Sequence, residues 1–119
     1  MNNRKTGTEW EIQAADYLTR NGMRIIEKNF RCRQGEIDLI GYHEGYLVFV
    51  EVKYRSSYGS GHALEAVDYR KQCKICKAAD YYRYSHHLGT DIGVRYDVIG
   101  IQNGKIEWIQ NAFPHVYRC

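Results

Sequence analysis

The chain has 119 residues, 44% hydrophobic and 26% charged, and 17 Lys and Arg against 14 Asp and Glu leave a net charge of +3. That length fits one domain over residues 1–119 with a single core, and the composition excludes a disordered or fibrous chain. The longest unbroken apolar stretch, residues 46–50, is far short of the roughly 20 that span a bilayer, and no apolar run follows Arg4 and Lys5, so a cytoplasmic protein is expected.

Within residues 7–21, Trp10, Ala14, Tyr17 and Leu18 recur at spacings of three and four with Ala15 beside them, and Asn21-Gly22 is a stop, which predicts a first helix. Residues 23–30 form a short β-prone run. Residues 36–42 and 46–54 read as two strands around His43-Glu44-Gly45, a hairpin signature. The Ser- and Gly-rich stretch 56–61 is a loop before a long helix over 62–87, striped by Leu64, Val67, Ile75, Ala78 and Tyr82 and ended by Gly89. Residues 93–101 and 105–109 are rich in Val and Ile and separated by Gln102-Asn103-Gly104, a second hairpin. The order α-β-β-β-α-β-β predicts an α/β or α+β domain, a mixed sheet with helices packed on it.

The first hairpin carries the chemistry. Alternation turns Val48, Val50 and Val52 to one face of the strand and Phe49, Glu51 and Lys53 to the other. With Glu44-Gly45 as a two-residue turn, His43 meets Tyr46, Asp38 meets Glu51 and Glu36 meets Lys53. Opposed carboxylates repel at the roughly 4.5 to 5.5 Å between cross-strand Cβ atoms, and a divalent cation resolves the repulsion. Oxygen ligands suit Mg²⁺ or Mn²⁺, and an ammonium on the same face can stabilise charge developing on a phosphodiester, so the set points to hydrolytic phosphoryl transfer. The bland alternative is an exposed charge ladder on a sheet edge, which is how most such residues behave.

Asp38 followed by Glu51-Val52-Lys53 resembles the PD-(D/E)xK nuclease superfamily. More closely, the chain is similar to the YraN-like family of predicted bacterial endonucleases, related in fold to Holliday junction resolvases. The similarity lies in Ala14-Ala15 with Tyr17-Leu18, Asn29-Phe30-Arg31-Cys32-Arg33, Gly35-Glu36-Ile37-Asp38-Leu39-Ile40, Val48-Phe49-Val50-Glu51-Val52-Lys53, Glu65-Ala66-Val67 with Lys71, and Arg95-Tyr96-Asp97-Val98. It implies a restriction-endonuclease-like fold, with Asp38, Glu51 and the Val52 carbonyl as metal ligands and Lys53 as catalytic base or charge stabiliser. Glu11 matches an additional acidic residue near the metal. Ile37 stands where the superfamily name has Pro, and Trp10 where a small residue is expected before the helix Glu, which leaves Glu9 as the alternative to Glu11.

Lys71 falls where the second helix calls for an apolar residue, so its stem should lie along the buried face with its ammonium at a pocket edge; a snorkelling surface Lys is the competing reading. Arg31, Arg33 and Arg55 near the hairpin are candidates to track a phosphate backbone, and Glu36 is grouped with these substrate-binding residues, although such runs are usually solvated. Cys32, Cys73, Cys76 and Cys119 are expected as reduced thiols, and Cys73 with Cys76 as buried packing rather than a zinc or redox pair. Eleven tyrosines scatter through the chain and receive no site. The expectation is a Mg²⁺- or Mn²⁺-dependent nuclease acting on DNA, including branched or structured DNA, with the symmetric homodimer of resolvases compatible. The alternative is a nucleic-acid-binding module that does not cut.

Overall fold

The computed structural model describes residues 7–55 and 67–119. Helix α1 (Gly7–Arg20) precedes strands β1 (Arg24–Cys32), β2 (Gly35–His43) and β3 (Tyr46–Arg55); helix α2 (Tyr69–Ser85) precedes β4 (Gly93–Gln102) and β5 (Lys105–Ile109). This is the predicted order, and it builds the mixed helix-flanked sheet that the restriction-endonuclease-like resemblance implies. The strands form one sheet in the order β1-β2-β3-β4-β5, antiparallel throughout except for the parallel pair β3 and β4. A parallel pair needs a long crossover, and the connection that carries α2 supplies it.

Each face of the sheet has its own core. Ala14, Ala15 and Leu18 of α1 pack on Leu39, Val48, Val50, Ile99 and Ile101. Cys76, Ala78, Ala79 and Tyr82 of α2 pack on Phe30, Ile37, Ile40, Phe49, Tyr96 and Val98. The small residues let the helices approach closely, and the alternation of Val48 and Val50 against Phe49 divides β3 between the two cores. Neither helix is long and apolar enough to cross a membrane among the described residues.

The helix ends follow capping chemistry. After α1, Gly22 takes φ +98° while Met23 N–H donates to Leu18 O and Gly22 N–H to Thr19 O, the paired bonds of a Schellman stop. Helix α2 begins at Tyr69, later than the expected residue 62, because Asp68 is its N-cap: extended itself, it accepts the Lys71 N–H at 2.9 Å. Val67, expected on the helical stripe, lies before the cap and is buried against the α2-side core. The helix stops before Gly89, with His87 rather than a glycine in the left-handed position, φ +54°. The expected loop 56–61 and the expected helix start with Leu64 lie outside the described residues.

Two hairpins turn as predicted: Glu44 and Gly45 (φ +52° and +84°) and Asn103 and Gly104 (φ +53° and +76°) have positive φ at both central positions, the type I′ geometry that suits strand twist. The β2–β3 register is the expected one from His43↔Tyr46 to Leu39↔Val50 and then stops. The expected ladder pairs Asp38–Glu51 and Glu36–Lys53 are not formed. Strand β2 leaves β3 there and stays with β1, pairing Ile37 with Phe30 and Glu36 with Arg31, while β3 runs on beside β4 to Arg55↔Gln102.

The chain after β5 returns across α2. Ala112 N–H donates to Tyr96 O at 2.7 Å, Val116 N–H to Cys76 Sγ at 3.4 Å and Tyr69 Oη–H to Arg118 O at 2.8 Å. Cys73 and Cys119 form a disulfide, which corrects the expectation of four free thiols; Cys32 and Cys76 remain free, Cys76 buried in the α2-side core. The two partners are 46 residues apart, and only the return of the tail over α2 brings them together.

Candidate active site

The parting of β2 from β3 creates the site. Ile37 packs with the α2-side core and Leu39 with the α1-side core, so the face alternation of β2 slips at Asp38. Asn29, which falls between the pairs Lys28↔Leu39 and Phe30↔Ile37, takes φ +53° and neither it nor Asp38 joins the ladder. Asp38 Oδ2 instead accepts the Val52 N–H at 2.8 Å, a side chain replacing the strand partner that β2 no longer provides.

Glu51 is 4% exposed, and its Oε2 lies 3.3 Å from both Lys53 Nζ and Lys71 Nζ. Lys53 is two residues along β3; Lys71 comes from the first turn of α2, where the Asp68 cap fixes its backbone. Glu51 is also a side-chain hydrogen-bond partner of Asp38. From α1, Glu11 adds its charge to the field at Asp38, and its Oε1 is buried with no hydrogen-bond partner. Glu9, the alternative helix carboxylate, is exposed.

Burial above all, then the Glu51 charge, pushes the Asp38 carboxyl from 3.8 up to about 8; the Val52 N–H opposes the shift, and the shared hydrogen bond with Glu51 and the Glu11 charge add to it. With that proton on Asp38, the formal charges of Glu11, Glu51, Lys53 and Lys71 cancel. Losing the proton leaves one negative charge in excess at a buried place, which is what a cation would relieve. The donors are hard oxygens, and Mg²⁺ is commonly held by one or two carboxylates with water and phosphate oxygens completing its shell, so the residues fit such an ion. Among the described residues no three His, Cys, Asp or Glu side chains are gathered into a ready-made cation cage.

The remaining sequence candidates are spread around this cluster. Val52 packs its side chain on the α1-side core while its N–H meets Asp38. Arg31 and Glu36 are exposed partners of each other at 3.3 Å, and Arg33 is exposed in the β1–β2 turn. Arg55 ends β3, and its side chain is outside the described part.

Two constellations went unassigned in the sequence. Trp10 and Tyr54 stack with ring centroids 3.9 Å apart and planes 14° from parallel. The adjacency of Trp10 to Glu11 and of Tyr54 to Lys53 was a signal available in the sequence. The second is a buried network: Arg95 binds Asp97 through two hydrogen bonds of 2.9 and 2.8 Å and reaches His43 Nδ1 at 2.9 Å, while Asp97 also accepts Trp108 Nε1–H and Asn111 N–H, each at 2.9 Å. It joins β2, β4, β5 and the residues after β5 on the face of α1, with its charge paired and hydrogen-bonded as burial requires.

The profile of the Uncharacterised protein family UPF0102 matches residues 10–101. A UPF0102 protein of Lachnoclostridium phytofermentans is 42% identical over 113 residues, covering 95% of this chain and 96% of its own. A UPF0102 protein of Methylococcus capsulatus is 43% identical over 111 residues, covering 90% and 89%. Among solved structures, a repair endonuclease from Pyrococcus abyssi matches 84% of this chain at 16% identity and a TM-score of 0.45, and the match spans 40% of that protein.

Proposed function

Because the chain belongs to the UPF0102 family and brings Glu51 together with Asp38, Lys53 and Lys71 where β2 and β3 part, with the Glu11 charge felt at Asp38, we propose that it is a metal-dependent nuclease that hydrolyses DNA phosphodiester bonds. The observation that carries the reading is the buried Glu51 oxygen shared by two lysine ammonium groups, beside a second carboxyl whose pKa burial pushes up. A structural charge ladder would pair each acid with one base and keep both in solvent.

Asp38 and Glu51 are the residues that would hold Mg²⁺ or Mn²⁺, with the Val52 carbonyl and Glu11 next to them. The ion would supply Lewis acidity and a water of lowered pKa. On holding the ion, Asp38 would give up its proton to the medium. The five side chains would then carry a net charge of one negative, the ion would add two positive, and the resulting single positive charge would match one phosphodiester. Lys53 keeps its ammonium at the rim, a third exposed, free to swing from Glu51 Oε2 onto the phosphate oxygen where charge grows during hydrolysis. Lys71 holds the same Glu51 oxygen from α2, so the carboxylate stays oriented when Lys53 moves.

The test is a cleavage assay on duplex, single-stranded, flapped and four-way-junction DNA with Mn²⁺, Mg²⁺ or EDTA. Cleavage is expected with the ions and not with EDTA, and Lys53→Met, which keeps the apolar stem, is expected to lower the rate by about 100-fold or more while DNA binding weakens little. Cutting by Lys53→Met at the parent rate rejects the role given to Lys53. A second reading, a module that binds DNA without cutting, has in its favour the lack of a three-ligand cage among the described residues. DNA binding with a clear salt slope but no cleavage under any condition would establish it.

A further inference from the structure

The Trp10–Tyr54 stack flanks the open stretch of β3 on the α1-side face, which Tyr54 shares with Val48, Val50 and Val52, opposite the face of Glu51 and Lys53. Trp10 adjoins Glu11 in α1 and Tyr54 adjoins Lys53 in β3, so each ring starts one Cα step, about 3.8 Å, from a residue of the cluster. Trp10 is half-buried against the α1-side core, whereas Tyr54 is 41% exposed. Trp10 is thus the fixed base and Tyr54 the plate laid on it. Beyond Leu39↔Val50 the edge of β3 has lost its β2 neighbour, and Tyr54 lies on that unpaired stretch. Tyr96, by contrast, fills the face of the same sheet at 2% exposure, as a tyrosine that only packs is expected to do.

Building on the nuclease reading of the site, we propose that Trp10 and Tyr54 form a base-stacking platform that selects DNA with unpaired nucleotides next to the scissile phosphate. A base in a duplex has both faces covered by its neighbours, so it can stack on a protein ring only where the strand is single, flapped or branched. Ring pair and ammonium pair lie on either side of the open β3 edge: the lysines attract the backbone of any DNA, and the rings accept only a strand whose base is free. Recognition of this kind is indifferent to sequence, since every base presents a π-face.

The experiment measures binding in EDTA, where cleavage plays no part. Fluorescence anisotropy compares a single strand with a blunt hairpin duplex of the same number of phosphates, and a 2-aminopurine in the single strand reports stacking. The wild type is expected to bind the single strand about 10-fold more tightly and to quench the 2-aminopurine. Tyr54→Ala should lose about 5- to 100-fold on the single strand, with the duplex affinity and the salt slope unchanged. Tyr54→Phe should retain the preference and Tyr54→Leu, which still covers Trp10 but has no π-face, should lose it, so the outcome survives an unfolded Ala variant. Equal wild-type affinity for the two DNAs, binding to neither, or an equal loss on both DNAs in the Leu variant overturns the platform. A protein with this preference that never cuts with Mn²⁺ supports the platform and rejects only the nuclease reading.

Discussion

At Asp38 the side chain does the work of a missing strand. It holds the Val52 N–H, shares a hydrogen bond with Glu51, and pays for its burial by keeping a proton to about pH 8. A carboxyl whose pKa is raised by folding binds its proton more tightly folded than unfolded. Its contribution to stability is therefore complete below the ordinary 3.8 and is lost as the pH rises through about 8. Metal-free protein is expected to lose stability across that window. Asn mimics the protonated acid, with an oxygen for Val52 and an amide donor for Glu51, so Asp38→Asn should flatten the pH profile and raise the melting temperature at pH 9 by several degrees, about 1 kcal/mol or more. Thermal melts in EDTA from pH 4 to 9 check this, and a mutant that melts with the parent's pH profile would show that Asp38 is not the titrating group. The neighbourhood of Asp38 and Glu51 was legible because a two-residue turn fixes the register. Their actual contact was not, since the slip at Asp38 depends on Asn29 in the facing strand adopting a left-handed backbone.

Among the elements, those with turn chemistry in their own residues were readable and the others were not. Glu44-Gly45 and Asn103-Gly104 announce hairpins because Gly, and Asn beside it, accept positive φ. Arg33-Gln34 joins Cys32 to Gly35 with no such residue, so β1 and β2 extend past the expected limits of residues 30 and 36. Helix α2 shows a comparable contrast at its end. Leu88 N–H donates to Arg83 O and His87 N–H to Tyr84 O, a Schellman stop in which exposed His87 occupies the position that Gly22 occupies after α1. A residue with a Cβ is strained there, so residue types alone favour Gly89 as the stop. His87→Gly removes that strain and is expected to stabilise the protein by about 1 kcal/mol, raising the melting temperature by a few degrees. Chemical denaturation is the check: an unchanged or lower midpoint would mean that the left-handed residue bears no such cost.

For the whole molecule, the tail after β5 joins distant parts of the fold to the helix that supplies Lys71. Phe113 stacks on Tyr96 at 5.2 Å, His115 Nδ1 lies 2.6 Å from Tyr96 Oη, and Val116 and Arg118 bond to Cys76 and Tyr69 of α2. The Cys73–Cys119 bond completes this strap by closing a separation of 46 residues. Composition and periodicity said nothing of it, because a tail that packs by single contacts has neither a helical nor a strand repeat. In the chain-entropy account, a cross-link over such a loop restricts the unfolded chain by about 4 kcal/mol, and measured bonds commonly give about 2 to 4. Oxidised protein is therefore expected to unfold at a higher denaturant concentration than reduced protein. Cys119→Ser should match the reduced parent under both conditions, while Cys32→Ser should keep the full difference. Thiol titration of the unfolded, unreduced protein should find two reactive groups, Cys32 and Cys76, and four after reduction. The hydrogen bonds of Tyr69 and Cys76 to the tail do not depend on the bond, so reduction should loosen the last residues and leave Lys71 beside Glu51. Four reactive thiols before reduction, or midpoints that ignore reduction, would show that the strap is held by packing and hydrogen bonds without a covalent link.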